Sequence, residues 1–184
     1  CGAHGIVVPM VNTRAEAEAA VAAAKYPPAG IRSVGGALHA MNFGTDPATY
    51  YARANDEILV VVQAESPEGV ANADEILSVP GVDAVFIGPN DLLSQMGKVP
   101  RMESDEPEFV EALDHLVKTA AKYGVAPGIH TANHEACARR VAQGFRFMAI
   151  ASDARFLVAG AQAELSRLNL PGRGGEPKAE VLRY

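Results

Sequence analysis

The stretch that decides the fold is ILVVVQAESPEGVANADEILSVPGVDAVFIGPNDLLSQM, residues 58–96. It contains two apolar runs, at residues 58–62 and 84–87, separated by a segment that favours a helix. This pattern predicts two parallel strands joined by a crossover helix. Glu65 follows the first strand and Asp91 follows the second. We therefore expect two carboxylates at neighbouring strand ends, where α/β barrels and open α/β sheets hold their functional residues.

The same alternation of strand and helix continues along the rest of the chain. Strands are predicted at residues 5–11, 58–62, 84–87, 126–130 and 147–151, and helices at residues 14–25, 47–55, 67–77, 92–96, 108–123, 133–143 and 154–168. A Gly-rich loop is predicted at residues 29–46. Five strand–helix units indicate a parallel sheet, either a small doubly wound sheet or part of an eight-unit barrel. The chain has no Gly-rich dinucleotide fingerprint and no Walker A motif, which disfavours a nucleotide-binding sheet.

Composition limits the function classes. The 184 residues carry a net charge of −6 and are 48% hydrophobic, as in ordinary globular proteins. No Lys/Arg cluster favours nucleic acid, and no apolar run approaches the ~20 residues that span a bilayer. Neither nucleic-acid nor membrane partners are expected, and a cytoplasmic location is predicted. Because Cys1 stands where an initiator Met is usual and a strand follows at once, we expect a fragment or a processed chain.

Glu65 and Asp91 are the first candidates for chemistry. Carboxylate oxygens from two strand ends, with other positions left to water, suit Mg²⁺ or Mn²⁺. The alternative is that each acid caps or begins a helix, where acids are common. The turn at residues 88–92 offers free N–H groups at Asn90, Asp91 and Leu92 for a small anion such as a carboxylate. A plain strand-to-helix turn is the alternative there.

Two further residues are expected at the same mouth. Gln63 precedes Glu65 by two positions, so its side chain should point the same way and could donate to a substrate oxygen. His130 ends another predicted strand and could face the same space. A packing or surface role is the alternative for a single His.

Several motifs, taken in order, resemble the HpcH/HpaI family of metal-dependent 2-oxo-acid aldolases, which includes 4-hydroxy-2-oxoheptanedioate aldolases. They are GIVVPMVNT at residues 5–13, YPPAGIR at 26–32, VQAE at 62–65, NADEIL at 72–77 and VPGVDAVFIGPNDL at 79–92. Linked motifs in this order are far more specific than any one of them.

The resemblance implies a (β/α)₈ TIM barrel in which this chain covers strands four to eight. Residues 1–168 would be the C-terminal portion of the barrel, and residues 169–184 a Pro/Gly-rich tail. A general-base His and a substrate-binding Arg come from strands two and three in the family, so neither is expected here. The family also implies a homo-oligomer, often a hexamer.

The resemblance further assigns roles at the site. Glu65 and Asp91 would hold the divalent metal, Mg²⁺ or Mn²⁺ with Co²⁺ as a further candidate. Gln63 would lie against the bound 2-oxo acid. The pyruvate carboxylate would be held by the backbone of five residues, Gly88, Pro89, Asn90, Asp91 and Leu92. His130 departs from the family, which usually has an aliphatic residue there beside the pyruvate methyl group. Gln63 and His130 are the candidate catalytic side chains of this chain.

The implied activity is a class II aldolase, a carbon–carbon lyase that cleaves 4-hydroxy-2-oxo acids to pyruvate and an aldehyde through a metal-bound enolate. No Schiff-base Lys is required, and no Lys lies at a predicted strand end. Two alternatives stay open. One is a related lyase or decarboxylase acting on an acyl-CoA or a 2-oxo diacid. The other is a non-catalytic truncated subunit.

Overall fold

Five parallel strands form one sheet in the order β1-β2-β3-β4-β5, so each strand pairs with the next along the chain. The structure, a computed structural model, describes residues 1–168. Its strands are β1 (Gly5–Val8), β2 (Leu59–Gln63), β3 (Ala84–Ile87), β4 (Ala126–Thr131) and β5 (Phe147–Ile150). Its helices are α1 (Arg14–Ala24), α2 (Leu38–Met41), α3 (Pro47–Glu57), α4 (Pro67–Ala71), α5 (Ala73–Leu77), α6 (Pro89–Gln95), α7 (Pro107–Tyr123), α8 (His134–Ala142) and α9 (Asp153–Arg167). This arrangement is a parallel α/β half-barrel.

The two faces of the sheet differ because successive side chains of a strand point to opposite sides. One face packs under the helices and carries fully buried Val60, Val62, Val85, Ile87 and Ile129. Gln63, Phe86 and His130 lie on the other face and are partly buried. The helix-covered face therefore forms the core, and the opposite face is left for the site.

The helices that cover the sheet have clear sequence signals at their ends. Thr13 and Glu16 form a reciprocal capping box at the start of α1, as the Thr-x-x-Glu spacing predicts. The long helix α7 buries Phe109, Leu113 and Leu116 in the main core and ends at Gly124 in the left-handed conformation. These two helices hold the central strands in place.

Two predicted helices differ in the structure. The crossover segment 67–77 forms two helices, α4 and α5, because Asn72 leaves the helical backbone region and its amide bonds to Asn12 O at 2.8 Å. Helix α6 begins at Pro89, three residues before the predicted start, since proline fits the first helical position. The predicted loop at residues 29–46 also contains the short helix α2.

The chain divides into two compact units, Cys1–Ile150 and Ala151–Tyr184. The sheet and helices α1–α8 belong to the first unit. In the second unit the structure describes residues 151–168, where α9 has no buried side chain and Phe156 and Leu157 are exposed. The predicted tail at residues 169–184 lies outside the described residues. No helix within residues 1–168 is both long and apolar enough to cross a membrane.

Candidate active site

Glu65 and Asp91 lie at the carboxyl ends of β2 and β3, as the sequence predicts. The two strands are hydrogen-bonded in parallel, with Gln63 opposite Phe86. Glu65 is two residues after Gln63 and Gly88 is two residues after Phe86, so Glu65 and Gly88 are level with each other. Asp91 follows Gly88 in the first turn of α6. The parallel pairing therefore brings the two acids to the same edge of the sheet.

Glu65 is a buried carboxylate with two defined partners. Its side chain is 3% exposed. Met10 N–H donates to Oε1 at 3.1 Å, and Gln63 Nε2 donates to Oε2 at 3.1 Å. Burial raises the pKa of Glu65 above its ordinary value, the Met10 hydrogen bond opposes that rise, and the negative charge of Asp91 adds to it. Ionisation of Glu65 is therefore disfavoured both by burial and by the nearby negative charge of Asp91.

Gly88 marks the point where the two carboxylates converge. A Cβ built on Gly88 would overlap Glu65 Oε2 and lie 3.5 Å from Asp91 Oδ2. Any side chain at this position would therefore fill the space between the two acids. Glycine is needed here for this close approach and not for an unusual backbone angle, because φ is −90°.

The donor set at this point fits a hard divalent cation. Two carboxylates supply oxygen ligands and negative charge, which Mg²⁺ and Mn²⁺ prefer over nitrogen or sulfur ligands. A cation would also neutralise the like charges whose proximity raises the pKa of Glu65. In the part of the chain that the structure describes, no group of three or more His, Cys, Asp and Glu side chains forms a metal cage. Among the described residues, Glu65 and Asp91 are therefore the two carboxylates that converge at this point.

The turn at residues 88–92 differs in part from the sequence prediction. The N–H of Leu92 donates to Gly88 O at 3.0 Å, so the prediction that it is free is wrong. The reason is that α6 begins at Pro89, which makes this bond the first within the helix. Pro89 is buried and has no N–H, and the Leu92 side chain is fully buried in the core. The N–H groups of Asn90 and Asp91 precede this first bond at the start of the helix.

The Asn90 side chain does not extend toward Glu65. Its Nδ2 donates to Met102 Sδ at 3.6 Å, within sulfur hydrogen-bond range. Met102 lies in the segment between α6 and α7, and its neighbour Glu103 accepts a hydrogen bond from Arg140 at 2.9 Å. Asn90 therefore ties the start of α6 to this segment by its side chain, and only its backbone remains for an anion.

His130 lies on the same face of the sheet as Gln63. Phe86 pairs with Gly128, and His130 is two residues beyond Gly128, so His130 is level with Gly88. Adjacent strands are about 4.8 Å apart, which puts His130 one strand from Gly88 and two from Glu65. Its partner on β5 is the small residue Ala149. His130 therefore lies at the same end of the sheet and on the same face as Gln63.

An aromatic pair lies one level below these residues. Phe86 and Phe147 meet edge to face, with ring centroids 5.9 Å apart. They reach across Gly128, where a Cβ would stand 3.0 Å from both Cβ and Cδ1 of Phe147. The site therefore has a polar rim above an apolar floor, and the sequence pattern did not reveal this floor.

Met10 is the residue at the site that the sequence analysis missed. It follows β1 and has a positive φ of 54°, which is rare outside glycine. Its N–H is the donor to Glu65, and the next N–H, of Val11, donates to Gln63 O at 3.0 Å. No sequence signal marks a left-handed Met, so only the structure could show this contact.

Comparison with known proteins identifies the family of the chain. The family model described as HpcH/HpaI aldolase/citrate lyase matches residues 1–159. The chain belongs to the HpcH/HpaI aldolase/citrate lyase family. This confirms the family predicted from the motifs.

Two curated relatives show how much of the family's length is present. A hydroxypyruvate/pyruvate aldolase of Rhizorhabdus wittichii is 39% identical over 161 residues, which are 88% of this chain and 63% of that protein. A 4-hydroxy-2-oxo-heptane-1,7-dioate aldolase of Klebsiella pneumoniae is 40% identical over 166 residues, 90% of this chain and 62% of that protein. The chain thus spans somewhat less than two thirds of either relative.

Solved structures of HpcH/HpaI proteins share the fold. A family member from Burkholderia cenocepacia has a TM-score of 0.80 at 30% identity, covering 90% of this chain and 65% of that one. An HpcH/HpaI aldolase from Desulfitobacterium hafniense has a TM-score of 0.78 at 32% identity, covering 93% and 66%. The five-stranded half-barrel is therefore a shared part of larger chains.

Proposed function

We propose that the protein is a metal-dependent, class II aldolase that cleaves 4-hydroxy-2-oxo acids to pyruvate and an aldehyde. One observation carries this proposal. Glu65 Oε2 and Asp91 Oδ2 converge on the side-chain-free Gly88 at the carboxyl ends of two adjacent parallel strands. Family membership and the names of the two relatives support the reaction class.

Glu65 and Asp91 are the proposed ligands of a divalent cation, Mg²⁺ or Mn²⁺ with Co²⁺ as a further candidate. A bound cation supplies a Lewis acid that draws electron density from the 2-oxo group of the substrate. Gln63 orients the Glu65 carboxylate through its hydrogen bond to Oε2. Gln63 is also proposed to contact the bound 2-oxo acid directly.

The substrate carboxylate is proposed to bind at the start of α6. The N–H groups of Asn90 and Asp91 lie ahead of the first helical hydrogen bond, where a helix favours negative charge. Gly88 admits the substrate close to the backbone because it has no side chain. Phe86 and Phe147 below provide an apolar surface that excludes water from the reacting carbon atoms.

The proposed reaction is a reversible aldol cleavage. The 4-hydroxyl group gives its proton to a base or to water, the C3–C4 bond breaks, and the former C4 leaves as the aldehyde. The electrons of the broken bond form the enolate of pyruvate, which takes a proton at C3. His130 is level with Gly88 and is the candidate among the described residues to contact the group carried on C3.

The lysines support a metal mechanism over a Schiff base. Lys25 is the one buried lysine among residues 1–168, and its Nζ donates to Asn55 O at 2.7 Å and to Ile58 O. Ile58 precedes β2, so this amine lies at the opposite end of the strand from Glu65. It therefore does not face the proposed substrate.

The wider assignments belong to the same proposal. The relatives are longer than this chain, which supports assigning its strands to positions four to eight of an eight-stranded barrel. A cytoplasmic homo-oligomer, hexameric as in the family, completes the proposal.

Aldol cleavage by the whole protein is the direct test. With 4-hydroxy-2-oxoheptanedioate, pyruvate and the aldehyde should appear in equal amounts, and borohydride added with pyruvate should leave the activity intact. Release of carbon dioxide from a 2-oxo diacid, or cleavage of an acyl-CoA, would instead identify the related lyase. Metal binding without turnover of any of these would identify a non-catalytic subunit.

His130→Leu is expected to change which 2-oxo acid is accepted. Loss of the imidazole removes a hydrogen-bonding group next to the group on C3, so the preference for hydroxypyruvate over pyruvate should fall about tenfold, the effect of one hydrogen bond. The measurement compares kcat/KM for the two 2-oxo acids in the aldol addition direction. His130→Gln keeps a polar side chain and is the control. An unchanged ratio in His130→Leu would show that His130 does not determine selectivity.

A further inference from the structure

The backbone at Met10 has a conformation that its side chain does not explain. Its φ of 54° lies in the left-handed region, which L side chains other than Asn and Asp rarely adopt. The Met10 side chain is 37% exposed, so the conformation is not retained to bury it. Such residues persist where the surrounding structure fixes them, and they are frequent at functional sites.

This conformation turns two successive N–H groups toward the end of β2. Met10 N–H donates to Glu65 Oε1 at 3.1 Å, and Val11 N–H donates to Gln63 O at 3.0 Å. The Val11 side chain is buried in the core, which anchors the turn immediately after Met10. A right-handed or extended residue at position 10 would redirect the chain that follows it, so the N–H groups of residues 10 and 11 could not both point to the end of β2.

The hydrogen bond from Met10 distinguishes the two oxygens of Glu65. Oε1 accepts the Met10 N–H, whereas Oε2, which accepts from Gln63 Nε2, lies beside Gly88 on the side of Asp91 Oδ2. The carboxylate is thereby held in one rotation, with one oxygen directed at the point where the two acids converge. Hydrogen bonds that orient a ligand in this way commonly decide metal affinity.

Polar contacts behind the turn hold it against the next connection. Ser66 Oγ donates to Asn12 Oδ1 at 2.5 Å, and Asn72 Nδ2 donates to Asn12 O at 2.8 Å. Ser66 directly follows Glu65 and caps α4. Asn12 is thus linked to the β2–α4 turn through Ser66 and to the end of α4 through Asn72.

We propose that the left-handed turn at Met10 is a positioning device for Glu65, which presents a single carboxylate oxygen to the divalent cation. This inference rests on the metal site proposed above. Met10 acts through its backbone N–H, and its side chain is not part of the device.

The test is Mn²⁺ affinity in variants that accept a positive φ to different degrees. Met10→Val should weaken Mn²⁺ binding about tenfold or more, since a β-branched residue resists this conformation and loss of an orienting hydrogen bond costs about 10–100-fold in metal affinity. Met10→Gly and Met10→Asn accept the conformation and should restore affinity to within about twofold of the unsubstituted protein. Free Mn²⁺ is followed by electron paramagnetic resonance during titration.

Thr13→Ala is the matched control. It removes the Thr13 side-chain half of the α1 capping box, in the same connection, without touching the Met10 N–H. It should lower Tm and leave Mn²⁺ affinity unchanged. Equal losses of affinity in Met10→Val and Thr13→Ala would reduce the effect to stability and overturn the inference.

The remaining outcomes separate this inference from the proposed function. If the unsubstituted protein binds no Mn²⁺, the metal site and the positioning role both fail. If it binds Mn²⁺ and Met10→Val binds equally well, only the positioning role fails. If Met10→Val does not fold, Met10→Gly decides: retained Mn²⁺ affinity with an equal or higher Tm supports the backbone role, and a tenfold loss refutes it.

Discussion

Chelation of divalent metal ions is expected to stop pyruvate release from 4-hydroxy-2-oxo acids completely, and Mn²⁺ or Mg²⁺ is expected to restore it. The reason lies in the pairing of Glu65 with Asp91. Two carboxylates directed at one point repel each other and cannot by themselves polarise a 2-oxo group, whereas a cation between them can. Without the cation, the Lewis acid that the proposed reaction requires is lost.

The measurement is pyruvate formation after dialysis against EDTA and after re-addition of each metal. EDTA presaturated with Mg²⁺ is the control, because it adds the chelator without removing the ion. Activity that persists in EDTA and is lost when borohydride is added with pyruvate would indicate a lysine mechanism. That result would contradict the metal proposal.

The positions of the strands could be predicted from the sequence because buried parallel strands have short, continuous apolar runs. The run at residues 58–62 and the one at 84–87 are bounded by polar residues, and the observed β2 and β3 agree with both to within a residue. The acids at their ends follow from the parallel pairing alone. Glu65 and Asp91 could thus be placed at one edge without knowledge of their contacts.

The details of the site depend on contacts between segments that are distant in sequence. Asn72 interrupts the crossover helix because its amide reaches Asn12, sixty residues earlier. Met10 adopts its left-handed conformation beside Glu65, fifty-five residues away. Local propensity predicts neither, since Asn is compatible with a helix and Met disfavours a positive φ.

For Gln63 the sequence predicted the position of the side chain but not its hydrogen bond to Glu65. Alternation along β2 puts it on the same face as Glu65, as expected. Its amide nitrogen, however, donates to Glu65 Oε2, so the observed role is to orient a ligand. Alternation along a strand predicts the direction of a side chain. Its hydrogen-bond partner depends on the length and rotamer of both side chains.

Glu65→Gln is expected to have opposite effects on metal affinity and on the stability of the metal-free protein. Removing one of two carboxylate ligands should lower Mn²⁺ affinity at least about 100-fold, since loss of an outer-shell partner alone costs up to about that much. The metal-free protein should become more stable at neutral pH, because Gln removes a buried charge that lies close to Asp91. A Gln oxygen still accepts the Met10 N–H, and the Gln63 amide must turn over so that its oxygen accepts from the new amide nitrogen.

The increase in stability that Glu65→Gln gives the metal-free protein should depend on pH, because the pKa of Glu65 is raised. A carboxyl with a higher pKa in the folded state binds its proton more tightly when folded, so its protonation favours folding. That contribution is fully present below the unfolded value, near 4.5, and is lost as pH rises through the higher folded value. The gain from Glu65→Gln should therefore be small at low pH and should grow as pH rises to neutrality.

Denaturant unfolding at several pH values, with EDTA and with Mn²⁺, measures both effects. With Mn²⁺ at 100 times its Kd, the unsubstituted protein should gain about 2.7 kcal/mol in free energy of unfolding, and Glu65→Gln should gain almost nothing. Glu68→Gln, which removes an exposed acid from the first turn of α4, is the control and should keep the full Mn²⁺ response. If Glu65→Gln destabilises the metal-free protein at neutral pH, the buried charge is stabilised by its hydrogen bonds alone. A Mn²⁺ response that is absent from the unsubstituted protein as well would make the acid pair a structural feature, because a cation that binds only the folded protein must stabilise it.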